Sequence, residues 1–233
     1  MTKQEQRLLA SFGRRQGRKL RPGKRSLVDE LLPKIEVRIE ELENWGTGEK
    51  LFPHISNSPV SQFALEIGFG GGEHLAYQAK LHPGVGFIGC EPYINGIGDL
   101  LKKIDAEKLS NIRIYPGDAR LLIEKLPGAC LSKTYILYPD PWPKARHHKR
   151  RLVSMEFLDS LARVMKQGAL LQLATDHGDY ATWMLERLLA HPAFEWTAKK
   201  SGDWLLPPAE WIPTKYEQKR LAGMSTYLQF TRR

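Results

Sequence analysis

From residue 63 onward, short runs of apolar residues alternate with longer stretches whose apolar positions recur at helical spacing. The short runs fall at 63–67, 85–90, 112–115, 134–138 and 169–174, with last strand candidates at 194–197 and 227–231. Between them, residues 73–80, 95–106, 155–165 and 180–189 carry helical patterns. Strands alternating with helices pair in parallel through right-handed crossovers, so the pattern predicts an α/β fold with an open, doubly wound sheet. That sheet is expected to be mostly parallel, with about seven strands and helices on both faces, over residues of about 60–231. Upstream, residues 26–43 have helical spacing in part but are interrupted by Pro33, and Trp45-Gly46-Thr47-Gly48 reads as a loop. The chain contains no internal repeat and no low-complexity tract.

Composition adds a partner class to this picture. The 233 residues are 42% hydrophobic and 26% charged, enough for the core of one sizeable domain. Lys and Arg number 35 against 26 Asp and Glu, a formal charge of +9 that favours a polyanionic partner. The charge is uneven: residues 1–28 hold nine Lys and Arg against one acid, Glu5, and a second cluster reads Arg146-His147-His148-Lys149-Arg150-Arg151. Gly13, Gly17, Pro22 and Gly23 break up the first cluster, so residues 1–27 read as a mobile basic arm ahead of a single domain at 28–233. No run approaches the ~20 apolar residues that span a bilayer, and no secretory signal is present, so a cytoplasmic protein without a membrane partner is expected. The leader is Arg-rich and acid-poor but has only two serines, Ser11 and Ser26, which leaves organelle import as an alternative. Cys90 and Cys130 read as buried free thiols in a reducing compartment. Neither has metal-site spacing, and two adjacent histidines such as His147 and His148 diverge on a helix, so no metal is expected.

In an open α/β sheet, ligands bind beyond the carboxyl ends of the strands. Four positions there carry candidate chemistry. The first run leads into Glu66-Ile67-Gly68-Phe69-Gly70-Gly71-Gly72, where Gly68 and Gly70 allow a tight turn and a close backbone approach to a ligand. After the second run comes Glu91, placed to accept both hydroxyls of a ribose; after the third, Gly117-Asp118-Ala119, whose acid suits an adenine amino group; after the fourth, Asp140. A dinucleotide fingerprint requires glycine at position 73, but Glu73 stands there, which points to a nucleoside ligand without a pyrophosphate. Asp140 lies in Tyr138-Pro139-Asp140-Pro141-Trp142-Pro143-Lys144. Each proline pushes the preceding residue towards an extended conformation, so Tyr138, Asp140 and Trp142 are expected to be extended. Asp140, Trp142 and Lys144 then project to one side. The competing reading of this loop is a rigid surface turn.

This series of glycines and acids resembles the class I S-adenosylmethionine-dependent methyltransferases, whose fold is Rossmann-like. The run from Tyr138 to Arg151, together with Thr175-Asp176 and Thr214-Lys215-Tyr216-Glu217, is similar to the bacterial tRNA (guanine-N7)-methyltransferases. That resemblance spans about residues 60–231 and extends to the basic leader. It implies transfer of a methyl group from S-adenosylmethionine to N7 of a variable-loop guanosine in tRNA. It further implies that Glu66, Gly68, Gly70, Glu91, Asp118 and Asp140 hold the donor and that Asp140 is also the active-site acid. Lys144, Asp176, Thr214, Lys215, Tyr216 and Glu217 would meet the substrate, and Arg146, His147, His148, Lys149, Arg150 and Arg151 the RNA. Gly71 and His148 depart from the family pattern, where a larger residue and an Asn are common. No obligate protein partner is implied.

Elementary chemistry fits this reaction. Guanine N7 carries a lone pair and no proton, so it attacks a methyl carbon without a general base. The transfer needs an in-line approach and a fixed negative charge for the purine that becomes cationic, a role suited to Asp140. A second acid, Asp176 or Glu217, is suited to reading the guanine N–H edge; Asp176 is equally suited to cap a helix, and Thr214 and Glu217 to bond their own loop. Trp142 either stacks on an extruded base or packs over the end of strand four. On a helix, Arg146, Lys149 and Arg150 share one face, which favours phosphate binding over a merely solvated run. Two alternatives remain at this level: a base-amino methyltransferase, whose motif needs a second adjacent proline that Asp140-Pro141-Trp142 lacks, and a catalytically silent RNA-binding protein on the same fold.

Overall fold

The computed structural model describes residues 15–44, 51–52, 62–219 and 222–233, with only the backbone of Glu41, Glu43, Asn44, Tyr216 and Lys219; the expected loop at 45–48 and the first half of the leader lie outside them. Among the described residues, seven strands form one sheet: β1 (Phe63–Ile67), β2 (Gly86–Cys90), β3 (Ile112–Tyr115), β4 (Leu131–Leu137), β5 (Met165–Thr175), β6 (Phe194–Trp196) and β7 (Thr226–Arg232). Their spatial order is β3-β2-β1-β4-β5-β7-β6. The first five are mutually parallel, and β7 runs antiparallel between β5 and β6. The order reverses between β1 and β4, and the crevice at that switch point is where a sheet of this kind receives a ligand.

Side chains alternate across each strand, and the two faces bury separate apolar layers. Leu65, Ile67, Ile136, Leu171 and Leu173 face one layer, built with α5 (Ala119–Lys125), α6 (Met155–Val164) and α7 (Gly178–Ala190) through Leu122, Phe157, Leu161, Tyr180 and Met184. Ala64, Phe87, Ile114, Tyr135 and Ala174 face the other, built with α3 (Glu73–Leu81) and α4 (Ile94–Glu107) through Leu75, Ala79, Ile97, Leu100 and Leu101. Helices therefore cover both faces, as the strand and helix pattern predicts.

The amino-terminal arm differs from its expected extent. Residues placed within it form α1 (Pro22–Glu30), which lies on α4 with Lys24 Nζ 2.6 Å from Asp99 and with Leu27 and Val28 against the core. A proline at the first helical position supplies a preset φ and needs no N–H partner there, so Pro22 starts this helix instead of breaking the arm. Pro33 does interrupt the stretch after it: α1 ends and a single turn, α2 (Leu32–Ile35), begins with Pro33 in its first turn. Before α1, the Ile94 N–H donates to Arg15 O (3.2 Å) and Asn95 Nδ2 to Arg18 O (2.9 Å), so residues 15–18 rest on the start of α4. Residues 202–205 and 215–219 form the short helices α8 (Gly202–Leu205) and α9 (Lys215–Lys219).

Candidate active site

Each parallel strand ends in a loop that delivers one acid or glycine turn to the crevice. After β1, Gly70 has φ of 55°, a left-handed backbone that glycine adopts without strain. This turns its N–H onto Glu91 Oε2 at 2.8 Å. Gly68, at φ 72°, donates to Cys90 O, tying the same turn to the end of β2. Gly96 on α4 completes the cradle, because a Cβ there would stand 2.3 Å from Gly70 O.

Glu91, at the end of β2, is buried and spans two backbone donors, with Oε1 accepting from Tyr93 N at 2.9 Å. Burial raises its carboxyl above the ordinary range against these hydrogen bonds, and the nearby Asp140 and Glu66 carboxylates push the same way. Asp140 and Glu66 thus lie within electrostatic reach of Glu91. Glu66 itself is turned inward: its side chain is 3% exposed and Oε2 lies 2.7 Å from His74 Nδ1. Asp118 caps α5 by accepting from Arg120 N (3.0 Å) and receives the Arg120 guanidinium on both oxygens, at 3.0 and 2.6 Å. A carboxylate has about four lone-pair sites, so Glu91 and Asp118 retain acceptor capacity beyond these bonds.

The proline loop after β4 is not the extended ribbon its sequence predicts. Tyr138 has φ of 52° and Trp142 of 44°. Positive φ in bulky residues costs on the order of 1–3 kcal/mol each and persists where neighbours hold it. Tyr138 is held at both ends: its N–H donates to Ala174 O (2.7 Å), and its hydroxyl pairs with Ser225 Oγ (2.8 Å). Trp142 has His147 on its edge and the Arg150 guanidinium over its ring at 5.0 Å. With two residues left-handed, the alternation that would align Asp140, Trp142 and Lys144 is lost. Asp140 is exposed at the mouth of the crevice, yet enough protein surrounds it for desolvation to raise its carboxyl above the ordinary value.

The following cationic run is also shaped differently. It is a 3₁₀ segment, Ala145–Arg150, with three residues per turn, so Arg146 and Lys149 align while Arg150 rotates away onto Trp142. Lys144, Arg146 and Lys149 are exposed; His147, His148 and Arg150 are half-buried; Arg151 is buried. Arg151, expected at the RNA, instead points into the protein.

Asp176 does not cap α7. His177 occupies the cap position without a side-chain bond, and Asp176 Oδ2 accepts from Ala222 N (3.1 Å), which ties the 222–225 turn to the loop after β5. The segment from Thr214 to Glu217 is largely engaged with itself and its surroundings. Thr214 is buried and its Oγ1 accepts from Glu217 N; Glu217 receives Trp211 Nε1 (2.8 Å) and Tyr227 Oη (2.5 Å). Lys215 Nζ lies 2.9 Å from Glu73 Oε1, which links this segment to the helix that follows the glycine turn. Glu73, Trp211, Tyr227 and His74 thus join the bonding network around the expected site residues, a role sequence reasoning gave to none of them. For Glu73 a signal existed, as the residue that broke the dinucleotide pattern; for the others there was none.

Known proteins resemble this chain in sequence and in fold. A family model described as "Putative methyltransferase" matches residues 61–228. The chain is 45% identical over 225 residues to the tRNA (guanine-N(7)-)-methyltransferase of Rhodospirillum rubrum, covering 95% of this chain and 87% of that protein. It is 45% identical over 226 residues to the protein of the same name from Caulobacter vibrioides, covering 96% and 95%. Among solved structures, the 16S rRNA methyltransferase KamB superposes with a TM-score of 0.57 at 16% identity, over 79% of this chain and 92% of that one. An rRNA methylase from Streptococcus thermophilus gives 0.51 at 10% identity over 73% and 86%. These two likenesses bear on the fold alone.

Proposed function

The chain belongs to the tRNA (guanine-N(7)-)-methyltransferase family, and we propose that it transfers the methyl group of S-adenosylmethionine to N7 of a guanosine in the variable loop of tRNA. The observation that carries this reading is the glycine turn at the switch point, whose Gly70 N–H is held on the buried Glu91 carboxylate, with Asp140 near enough to raise that carboxyl. The residues present suit the donor. Gly70 and Gly96 leave a backbone-lined cradle, Glu91 keeps lone pairs for two ribose hydroxyls, and Asp118 keeps one for an adenine amino group. Glu66 belongs to this set as the support beneath the turn, through its bond to His74 on α3.

The donor, when bound, supplies an electrophilic methyl carbon on a sulfonium centre. The task left to the protein is orientation and charge. Guanine N7 has no proton to lose, so no side chain acts as a base. Asp140 stands beside the approach path as a partly desolvated, fixed negative charge, which favours the purine as it becomes cationic. Asp176 offers an acceptor for the guanine N–H edge from the opposite loop, and Lys144, Arg146 and Lys149 offer exposed cations for phosphates. In the same reading Thr214, Lys215, Tyr216 and Glu217 meet the substrate, and the enzyme works in the cytoplasm.

The test compares two transcripts of one tRNA, one natural and one with 7-deazaguanosine at the variable-loop position. Labelled methyl incorporation into the first and none into the second supports the reading. Equal incorporation into both would move the reaction to an amino group or a carbon. Incorporation into neither, with donor and RNA binding verified, would make the chain an RNA-binding protein on a methyltransferase fold.

A further inference from the structure

Arg151 sits last in a run of six cationic or histidine residues, yet it does not share their exposure. Its side chain is 0% exposed, while its partner Asp179 is 58% exposed. Nε donates to Pro141 O at 2.9 Å, and Nη2 donates to Asp179 Oδ2. The guanidinium carbon lies 5.1 Å from the Tyr180 ring centroid and 4.7 Å from that of Trp183. Trp183 is fixed in turn, since its indole N–H donates to Val153 O at 2.8 Å. One planar cation therefore joins the loop that carries Asp140 to the first turn of α7, which begins directly after the loop that carries Asp176.

We propose that Arg151 is a positioning residue for methyl transfer: it holds the Asp140-Pro141-Trp142 loop at a fixed offset from the Asp176 loop and makes no contact with RNA phosphate. The proposal rests on the reading of this crevice as the guanosine-methylating site. The carbonyl that Arg151 holds belongs to Pro141, between the two left-handed residues Tyr138 and Trp142, so its hydrogen bond falls on the part of the backbone that most needs holding. Arginine suits the task because its donors are set in a rigid fork that engages a carbonyl and a carboxylate together while its face lies on aromatic rings. A lysine has one compact head on a flexible stem and does not reproduce that arrangement. A phosphate would reach this guanidinium only by displacing Asp179 and opening the contacts with Tyr180 and Trp183.

The test uses Arg151→Lys and, because Arg151 is buried, Asp179→Asn as a second variant that changes an exposed partner. Single-turnover transfer at saturating donor and tRNA is measured beside tRNA affinity across salt and amide exchange of the intact protein. For Arg151→Lys the expected rate loss is about 100-fold, the scale of a misplacement near 1 Å. Affinity for tRNA should stay within about twofold with an unchanged salt dependence, as expected when no phosphate contact is lost. Exchange should accelerate at residues 138–151 and not in the sheet, and Asp179→Asn should shift rate and exchange in the same direction. Weaker tRNA binding, a salt slope flattened by about 0.7–0.9 and a normal rate at saturation would make Arg151 a phosphate ligand and overturn the proposal. So would an unchanged rate with unchanged loop exchange, or exchange that rises equally throughout the sheet. Failure of the wild type to methylate N7 would defeat the functional reading instead, and the exchange measurement would still decide whether Arg151 and Asp179 clamp the loop.

Discussion

Glu91 is held by two backbone N–H groups in a buried position that, with Asp140 and Glu66 nearby, raises its carboxyl above the ordinary range. The sign of each consequence follows from the upward direction. Because folding favours the protonated form, the stability this group contributes is present at low pH and is lost as pH rises through the shifted value. Donor binding runs the other way, since ribose hydroxyls need an ionised acceptor. Donor affinity measured by calorimetry should therefore weaken on acidification at a pH above that of an ordinary glutamate, and Glu91→Gln should abolish that pH dependence along with tight binding. Asp140 carries the rate instead. Asp140→Asn should lower the single-turnover rate at saturating donor by about 10²–10³-fold, as loss of a preorganised electrostatic group does, with tRNA affinity retained. A near-normal rate would remove Asp140 from its role. Gly96→Ala is a steric test of the cradle: its Cβ would meet Gly70 O at 2.3 Å and force the glycine turn away from Glu91. Donor affinity should fall by at least about tenfold, or ~1.4 kcal/mol, with tRNA affinity preserved.

At the scale of elements, the strands and longer helices follow closely from periodicity, because each buries a continuous apolar face. Residues 112–115 are read directly as β3, and the run at 73–80 as α3. The elements that escaped are short or held by long-range contacts. Helix α5 has only seven residues, and its signal is one N-cap, Asp118, which also reads as a ligand. The proline loop is left-handed at Tyr138 and Trp142 because Ser225, Ala174, Arg150 and His147 hold it, and these partners are distant in sequence or lie around the next turn. The six-residue segment Ala145–Arg150, just before the buried Arg151, closes as a 3₁₀ turn instead of an α-helix, which separates Arg150 from Arg146 and Lys149. The acids at the strand ends were legible because topology alone puts them there; the bonds of Glu217, Thr214 and Asp176 were not, because they depend on how the 206–225 segment folds back. The geometry of the cationic turn makes its own prediction. Arg146→Ala with Lys149→Ala should reduce the magnitude of the log–log salt slope for tRNA binding by about 1.4–1.8, two phosphate contacts at 0.7–0.9 each. Adding Arg150→Ala should change that slope less than either, because its guanidinium lies over Trp142.

For the molecule as a whole, a parallel five-stranded body flanked by an antiparallel pair brings loops from both sides of the β1/β4 reversal to one crevice. The left side, in the order β3-β2-β1, supplies Asp118, Glu91 and the glycine turn; the right side supplies Asp140, Asp176 and the exposed cations that follow Asp140. In the proposed reading, a small nucleoside-containing donor and a large polyanion approach the same point from these two halves of the sheet. The formal charge of +9 favours the second partner, and in that reading the exposed Lys144, Arg146 and Lys149, which follow Asp140 in the chain, direct it to the reacting centre. The central claim is that the atom methylated there is N7 of one guanosine. It is tested most directly by incubating an unmodified tRNA transcript with the protein and S-adenosylmethionine, reducing with borohydride and cleaving with aniline. The account predicts a single strong break at a variable-loop guanosine; methyl incorporation without any aniline-sensitive site would contradict it.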